Sequence, residues 1–288
     1  KKPSFINERI FDNKPSFNPV TEDFERYMEI LGIRKKDPEP GELGRIVHAH
    51  MVRIPFENIS KLYYLRNTGQ RNIPPLARYL DGIEQYHFGG TCYANNYHLH
   101  QLLRFLGYDV RLCGASMEEP DVHLVNLVKL KEREFIVDAG YGAPFLVPLP
   151  RDLPDGYSIS LGTDQYVMGP MDENGCTSVT LYRNGVPSHG YRMHPSPRRI
   201  EEFRHVIKDS FHPRATFMNC VLLVHFRTGY SQLLHNLTYL ESRGRKVTKK
   251  QLENLDALIA AIEDIFGIPS AISRVALEGM TMSRSAWS

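Results

Sequence analysis

One cysteine stands where a thiol can become a nucleophile. Cys92 follows Gly89-Gly90-Thr91 and opens a stretch with helical spacing. A helix N-terminus presents unpaired N–H groups and the positive end of the aligned peptide dipoles, which stabilise an anion. A thiolate in such a setting can titrate well below the roughly 8.5 of a free thiol. Two glycines let the backbone turn tightly and leave the sulfur accessible. Cys113, Cys176 and Cys220 have no such setting, and the chain has no C-x-x-C pair. Four thiols in 288 residues form no disulfide framework. A buried, inert thiol is the competing reading for each of them.

A nucleophilic thiol needs a base, and the base needs an orienting group. The chain has 12 histidines, so position must select among them. His123 begins an alternating stretch that ends at Leu130, and Glu134 to Ala139 reads as the next strand. If these form a hairpin around Lys131-Glu132, Leu130 opposes Arg133, His123 opposes Gly140 and Asp138 opposes Val125. His123 and Asp138 are then diagonal neighbours on one face, roughly 7–8 Å apart along the backbones and within side-chain reach. A four-residue loop keeps that pairing, whereas a three-residue loop puts them on opposite faces. Asp138 ends the apolar run Phe135-Ile136-Val137, so its carboxylate should be largely buried and needs partners. A histidine would meet that need and fix the imidazole tautomer. Backbone N–H groups of the turn Gly140-Tyr141-Gly142 would meet it equally well.

Other candidates carry less. Phe56, Tyr93 and Tyr141 are candidate substrate-binding residues around the sulfur, with Gly142 on the same turn as Tyr141; core packing accounts for Phe56 and Tyr93 as readily. His48, His50, His98 and His100 resemble metal spacing, but positions i and i+2 of a helix do not face each other, so no metal is expected. Arg243, Arg245, Lys246, Lys249 and Lys250 could meet the phosphates of a nucleotide-bearing cosubstrate, or could simply be a solvated turn. No phosphate-binding G-x-x-x-x-G-K-[S/T] loop is present.

The elements that must position these residues change character along the chain. The first twenty residues read as an extended arm. Thr21 then caps a helix with Phe24, Tyr27, Met28 and Leu31 on one face. A second helix carries Leu43, Ile46, Val47, His50 and Met51 and ends before Pro55. A third follows Pro74-Pro75, and a fourth runs from Cys92 to Leu106 with Gly107 beyond it. After Gly107 the period becomes that of strands: Tyr108 to Cys113, Val122 to Leu130, Glu134 to Ala139, Tyr157 to Met168 and Ser178 to Tyr182. Asn184-Gly185 signals a hairpin turn. Ser196-Pro197 opens a helix through Phe203, Val206 and Ile207. Two strands follow, Thr216 to Phe226 and Ser231 to Leu240. A capping box at Thr248 to Gln251 opens the last helix, which Gly267 stops. The order is helical, then β, then mixed, which argues against a doubly wound sheet.

Composition bounds the function. At about 150 residues per domain, 288 residues allow two domains or one large one with appendages. Hydrophobic residues are 42% and charged residues 24%, as in soluble globular proteins. A net charge of +2 argues against wholesale nucleic-acid wrapping. The apolar runs are far below the ~20 residues of a membrane span. The opening residues hold no apolar signal core. A cytoplasmic protein with neither nucleic-acid nor membrane partners is expected.

The motifs carry a resemblance. Gly89-Gly90-Thr91-Cys92-Tyr93, His123-Leu124, Val137 to Gly142, and the upstream Ile54 to Ile59 together resemble the arylamine N-acetyltransferase family, in the same order along the chain. The resemblance implies an α+β fold: an N-terminal helical bundle, a central β-barrel and a C-terminal α/β lid around a Cys-His-Asp thiol-enzyme core of transglutaminase or papain type. Here the parts would be residues 1–109, with the arm and the nucleophile, 110–210, with His123, Asp138 and a following helix, and 211–288. It also implies a catalytic triad of Cys92, His123 and Asp138. Acetyl-CoA would be the cosubstrate that acylates the cysteine, and small aromatic amines, arylhydroxylamines or hydrazines the acceptors, with no metal. Two positions depart from the pattern. Phe88 stands where the family usually has Arg, and Ala94 where it usually has Glu; Asn96 is kept. Glu57 should then lack an Arg partner and be held by backbone N–H groups, by Asn96, by another cation or by solvent. Three further readings stay open: an amide synthase of natural-product assembly, a thiol hydrolase, and a non-catalytic paralogue that binds aromatic ligands.

Overall fold

The computed structural model describes residues 19–283 and 285–286. The arm expected over the first twenty residues falls outside them, apart from its last two positions, which already belong to α1 (Pro19–Leu31). A proline suits the first helical turn, where its missing N–H would have no partner. α2 (Pro40–Arg53), α4 (Leu76–Tyr86) and α5 (Cys92–Phe105) lie where the periodicity places them. Between them a two-residue strand, β1 (Phe56–Glu57), leads into α3 (Ile59–Thr68). The sequence reading misses α3 because Ile59, Ser60, Lys61 and Leu62 are all buried in succession. Such a helix is covered on several sides and shows no amphipathic stripe.

The β elements form two antiparallel sheets. The larger has eight strands, coiled into a nearly closed barrel. Its members are β2 (Asp109–Ser116), β3 (His123–Leu130), β4 (Arg133–Val137), β5 (Leu149–Pro150), β6 (Tyr157–Leu161), β7 (Asp164–Met168), β8 (Thr177–Arg183) and β9 (Val186–Pro197). Their order is β5-β4-β3-β2-β9-β8-β7-β6. Tyr157 to Met168, expected as one strand, is a hairpin that turns at Gly162 (φ 61°). Asn184 and Gly185 turn the next hairpin at φ 52° and 79°, both positive as their sequence requires. Inside the barrel pack Cys113, Val125, Leu127, Ile136, Phe145 and Met193.

Ser196-Pro197 does not start a helix. Both residues still belong to β9, and helical geometry begins as a 3₁₀ turn at Ile200–Phe203 before α6 (Arg204–Asp209). The second sheet has the order β1-β10-β11-β12-β13, with β10 (Leu222–Arg227), β11 (Tyr230–His235), β12 (Thr238–Arg243) and β13 (Lys246–Gln251). Ser231 to Leu240 is therefore two strands that turn at Asn236. The capping box expected at Thr248 to Gln251 is instead the outer strand β13, paired with β12 over six positions. Cross-strand pairing outweighs the local helix signal. Asn254, whose side chain accepts the Ala257 N–H, caps α7 (Leu255–Ala261) instead. Beyond Gly267 lies α8 (Ser270–Leu277), which the sequence reading does not contain; it joins α3, α7 and the buried face of β10 in one apolar core. Among the described residues, no helix is long and apolar enough to cross a membrane.

Candidate active site

Cys92 is the first residue of α5, and its approach is fixed by backbone contacts. A Cβ on Gly89 would lie 1.9 Å from the Pro55 carbonyl oxygen, so only glycine fits there. The Glu57 N–H donates to the Gly90 carbonyl at 3.1 Å, tying this turn to β1. Glu57 is fully buried. One of its carboxylate oxygens accepts the Ser60 N–H at 2.8 Å and the other the Gly89 N–H at 3.1 Å. These bonds favour the carboxylate, but burial outweighs them and pushes its pKa up. Of the partners expected for Glu57, the backbone supplies the bonds and Asn96 does not. Phe88 instead packs among the rings of Tyr63, Tyr64 and Tyr86.

The β3–β4 hairpin has the register the sequence implies. Leu130 pairs with Arg133 and Asn126 with Val137. This puts His123 and Asp138 on one face, and the His123 Nε2–H donates to Asp138 Oδ2 at 2.9 Å. Nε2 is thus committed to Asp138, and the Cys92 side chain is close enough to act on the ring. Asp138 Oδ1 accepts the Asn96 side-chain N–H at 2.8 Å and the Gly140 N–H at 2.9 Å. Both roles weighed for Asp138, histidine partner and turn acceptor, are thus filled at once. A Cβ on Gly140 would sit 2.5 Å from the Cys92 Cα, so this glycine lets the turn lie directly against the nucleophile helix.

Two adjacent asparagines on α5 lock the arrangement. Asn96 also donates to the Leu124 carbonyl at 2.7 Å and accepts the Ala139 N–H at 2.8 Å. Asn95 accepts the Tyr79 O–H at 2.9 Å and donates to the Gly90 carbonyl at 3.0 Å. Both are fully buried. The sequence reading notes Asn96 only as a family position and misses Asn95. The available signal is two poor helix formers side by side in a helix interior.

The electrostatics follow from burial and pairing. Burial alone would drive His123 neutral, but the Asp138 charge and hydrogen bond, aided by Cys92, raise its pKa to about 10. Burial opposes ionisation of Asp138, yet His123, Asn96 and the Gly140 N–H hold its pKa below the usual value. The pair is therefore an imidazolium beside a carboxylate. By contrast, burial pushes the Cys113 thiol up to about 11 and the Cys220 thiol up to about 12.

A family model described as N-acetyltransferase matches residues 41–275. The chain belongs to the arylamine N-acetyltransferase family. It is 29% identical over 194 residues to the pineal gland arylamine N-acetyltransferase isozyme NAT-3 of Gallus gallus. That match covers 58% of this chain and 64% of the relative, less than two thirds of its length. The fold is similar to that of the Nocardia farcinica arylamine N-acetyltransferase, with a TM-score of 0.75 and 22% identity over 94% of this chain and 100% of that one. The Mycobacterium marinum enzyme, solved in complex with CoA, has a TM-score of 0.74 at 20% identity over 90% of this chain and 99% of that one.

The family's motifs converge in space, whereas the candidate substrate residues divide. Tyr141 lies with its ring 5.9 Å from that of His123, and its hydroxyl is paired with His189 Nδ1 at 2.8 Å. Gly142 (φ 73°) packs against Phe56 and Val224. Phe56 is buried in the main core beside Phe217. Tyr93 donates its hydroxyl to the Val122 carbonyl at 3.0 Å, and its ring lines a partly open cleft of about 530 Å³, solvent at the mouth included. The cleft runs past Gly89, Gly90, Thr91, Ala94 and Lys61. Tyr191, unnoticed in the sequence, sits with its ring 5.0 Å from that of His123. Three of the four histidines that resembled metal spacing have core partners: His50 bonds Tyr27, His98 bonds Gln101 and the Pro74 carbonyl, and His100 bonds Asn126, while His48 is exposed. Lys246, Lys249 and Lys250 lie on the exposed strand β13.

Proposed function

We propose that the protein transfers an acetyl group from acetyl-CoA to an arylamine, arylhydroxylamine or hydrazine by way of a thioester on Cys92. The observation that carries this reading is the line from Cys92 through the His123 ring to an Asp138 carboxylate held by three donors. The proton that the thiol gives up is the one already held on the His123 imidazolium, which Asp138 balances, so the sulfur attacks as a thiolate. The sulfur attacks the acetyl-CoA carbonyl. The C–S bond to CoA breaks, and the leaving thiolate takes a proton from His123. The acceptor amine then attacks the Cys92 thioester, passes a proton to His123, and the C–S bond to Cys92 breaks. Burial of the triad strengthens each charge interaction and keeps water from hydrolysing the thioester. Tyr141 and Tyr93 are assigned to the walls that receive the acceptor, because one ring lies beside His123 and the other lines the cleft, with Gly142 and Phe56 assigned behind them. The test is steady-state kinetics with both substrates varied. Parallel double-reciprocal lines are expected; intersecting lines would refute transfer through a free acyl-enzyme.

A further inference from the structure

His189, on β9, is an imidazole that the sequence reading did not single out and that the acetyl-transfer steps do not use. Its ring lies beside that of Tyr141, nearly parallel at 18° with the centroids 5.6 Å apart. Its Nδ1 is 2.8 Å from the Tyr141 hydroxyl, which has no other partner among the described residues. A phenol that only accepted from Nδ1 would leave its own O–H without an acceptor. The Tyr141 O–H therefore donates to Nδ1, and the proton of the neutral imidazole sits on Nε2. Burial and the charge on His123 lower the His189 pKa, with Glu118 opposing them, so the ring stays neutral. Nε2–H is then a fixed donor, and among the described residues no group accepts it.

The donor belongs to an aromatic wall that starts at the base. The Tyr141 ring is 5.9 Å from that of His123, and His189 is bonded to the hydroxyl end of the same side chain. Phe145 stacks on the Tyr141 ring at 6.0 Å, and Tyr166 and Tyr191 meet it edge-on at 6.4 and 5.1 Å. These rings hold Tyr141, and its hydroxyl in turn holds the imidazole. His189 is half-buried and lines an open groove of about 700 Å³, solvent included, with Met117, Ser188 and Tyr191. Proteins pair the polar groups that they withdraw from water. An oriented N–H on an aromatic wall, with no partner in the chain, is free to take one from a ligand.

We propose that His189 determines specificity for the acceptor: its Nε2–H donates to an oxygen carried on the acceptor ring away from the amine. The protein then favours arylamines with an ether or carbonyl oxygen over those with an alkyl group of the same size. This rests on acetyl transfer through Cys92 and on Tyr141 as a wall of the acceptor site. An acceptor ring laid along Tyr141, with its nitrogen toward the nucleophile, carries its far substituent to the hydroxyl end, where His189 stands. His189 makes and breaks no bond in the transfer. An accepting oxygen gains a hydrogen bond there, whereas an alkyl group takes the N–H out of water and returns nothing.

The test is the second half-reaction alone. The acetyl-enzyme is formed with acetyl-CoA, freed of CoA, and mixed with 4-methoxyaniline or 4-ethylaniline, which match in size and differ in the ether oxygen. Loss of the acetyl group is followed by intact mass at low acceptor concentration. Comparing the ratio of the two rates between variants cancels the intrinsic reactivity of the amines. In His189→Phe the methoxy-to-ethyl ratio should fall about three- to tenfold, as for loss of a neutral hydrogen bond. His189→Gln, whose amide can place an N–H where Nε2 stands, should keep most of the ratio. His189→Asn is too short to do so; it should lower the ratio, and it decides the matter if His189→Phe does not fold. An unchanged ratio in His189→Phe or His189→Asn, both rates falling together, or an equal loss in His189→Gln would overturn the donor role and leave acetyl transfer standing. Absence of an acetyl-enzyme in the wild type would overturn acetyl transfer and this role together.

Discussion

Asn96→Ala tests whether the triad is held by α5. The side chain makes three buried hydrogen bonds, to the Leu124 carbonyl, to Asp138 Oδ1 and from the Ala139 N–H. Truncation leaves the Ala139 N–H buried without an acceptor, a cost of about 1–3 kcal/mol. The lost bond to the Asp138 carboxylate is charge-assisted and contributes about 1.5–3 kcal/mol. Because Asp138 keeps the Gly140 N–H and His123, the second cost falls at the low end. A destabilisation of about 2.5–4.5 kcal/mol is expected, read from urea unfolding. In the folded variant, iodoacetamide should alkylate Cys92 several-fold more slowly, since an Asp138 carboxylate with one donor fewer holds the His123 ring less firmly. Asn95→Ala is the control: it should destabilise the Gly89–Gly90 turn without touching Asp138. A loss below about 1 kcal/mol for Asn96→Ala would refute the hydrogen-bond reasoning. The full loss with unchanged alkylation would leave Asn96 structural only.

Other outcomes follow from the same geometry. Cys92→Ala should abolish acetyl transfer, whereas Cys113→Ala and Cys220→Ala should retain it and lower only the melting temperature. Asp138→Asn should reduce the transfer rate by roughly 10³–10⁴-fold, because an amide cannot balance an imidazolium. The raised His123 pKa stabilises the fold fully below its unfolded value of 6.5, and that stabilisation is lost as pH rises through about 10. Urea midpoints measured from pH 7 to 10 should therefore fall more steeply in the wild type than in His123→Gln. Phe88→Ala should cost about 3–5 kcal/mol, since the ring is 1% exposed and packed on three tyrosines; a thermal melt within a degree of wild type would contradict that.

Much of the site was legible because it depends on local spacing. The two-residue turn at Lys131-Glu132 fixes the hairpin register, and the register puts His123 and Asp138 on one face. The glycines before Cys92 and after Asp138 mark close backbone approaches that do occur. Asn95 and His189 were not legible, because their meaning depends on groups far along the chain: Tyr79 and Pro55 for one, Tyr141 for the other. α3 escaped because burial on several sides erases a helical stripe. Thr248 to Gln251 carried a real capping pattern that pairing with β12 overrides.

The central claim is that acyl groups pass through the Cys92 sulfur. The most direct measurement is intact mass after mixing with acetyl-CoA alone, then after adding an arylamine. One acetyl group should appear on the wild-type chain, map to the peptide containing Cys92, disappear on addition of the amine as N-acetyl product forms, and never appear on Cys92→Ser. Product formation by Cys92→Ser at the wild-type rate, or an acetyl group that survives the amine, would contradict it.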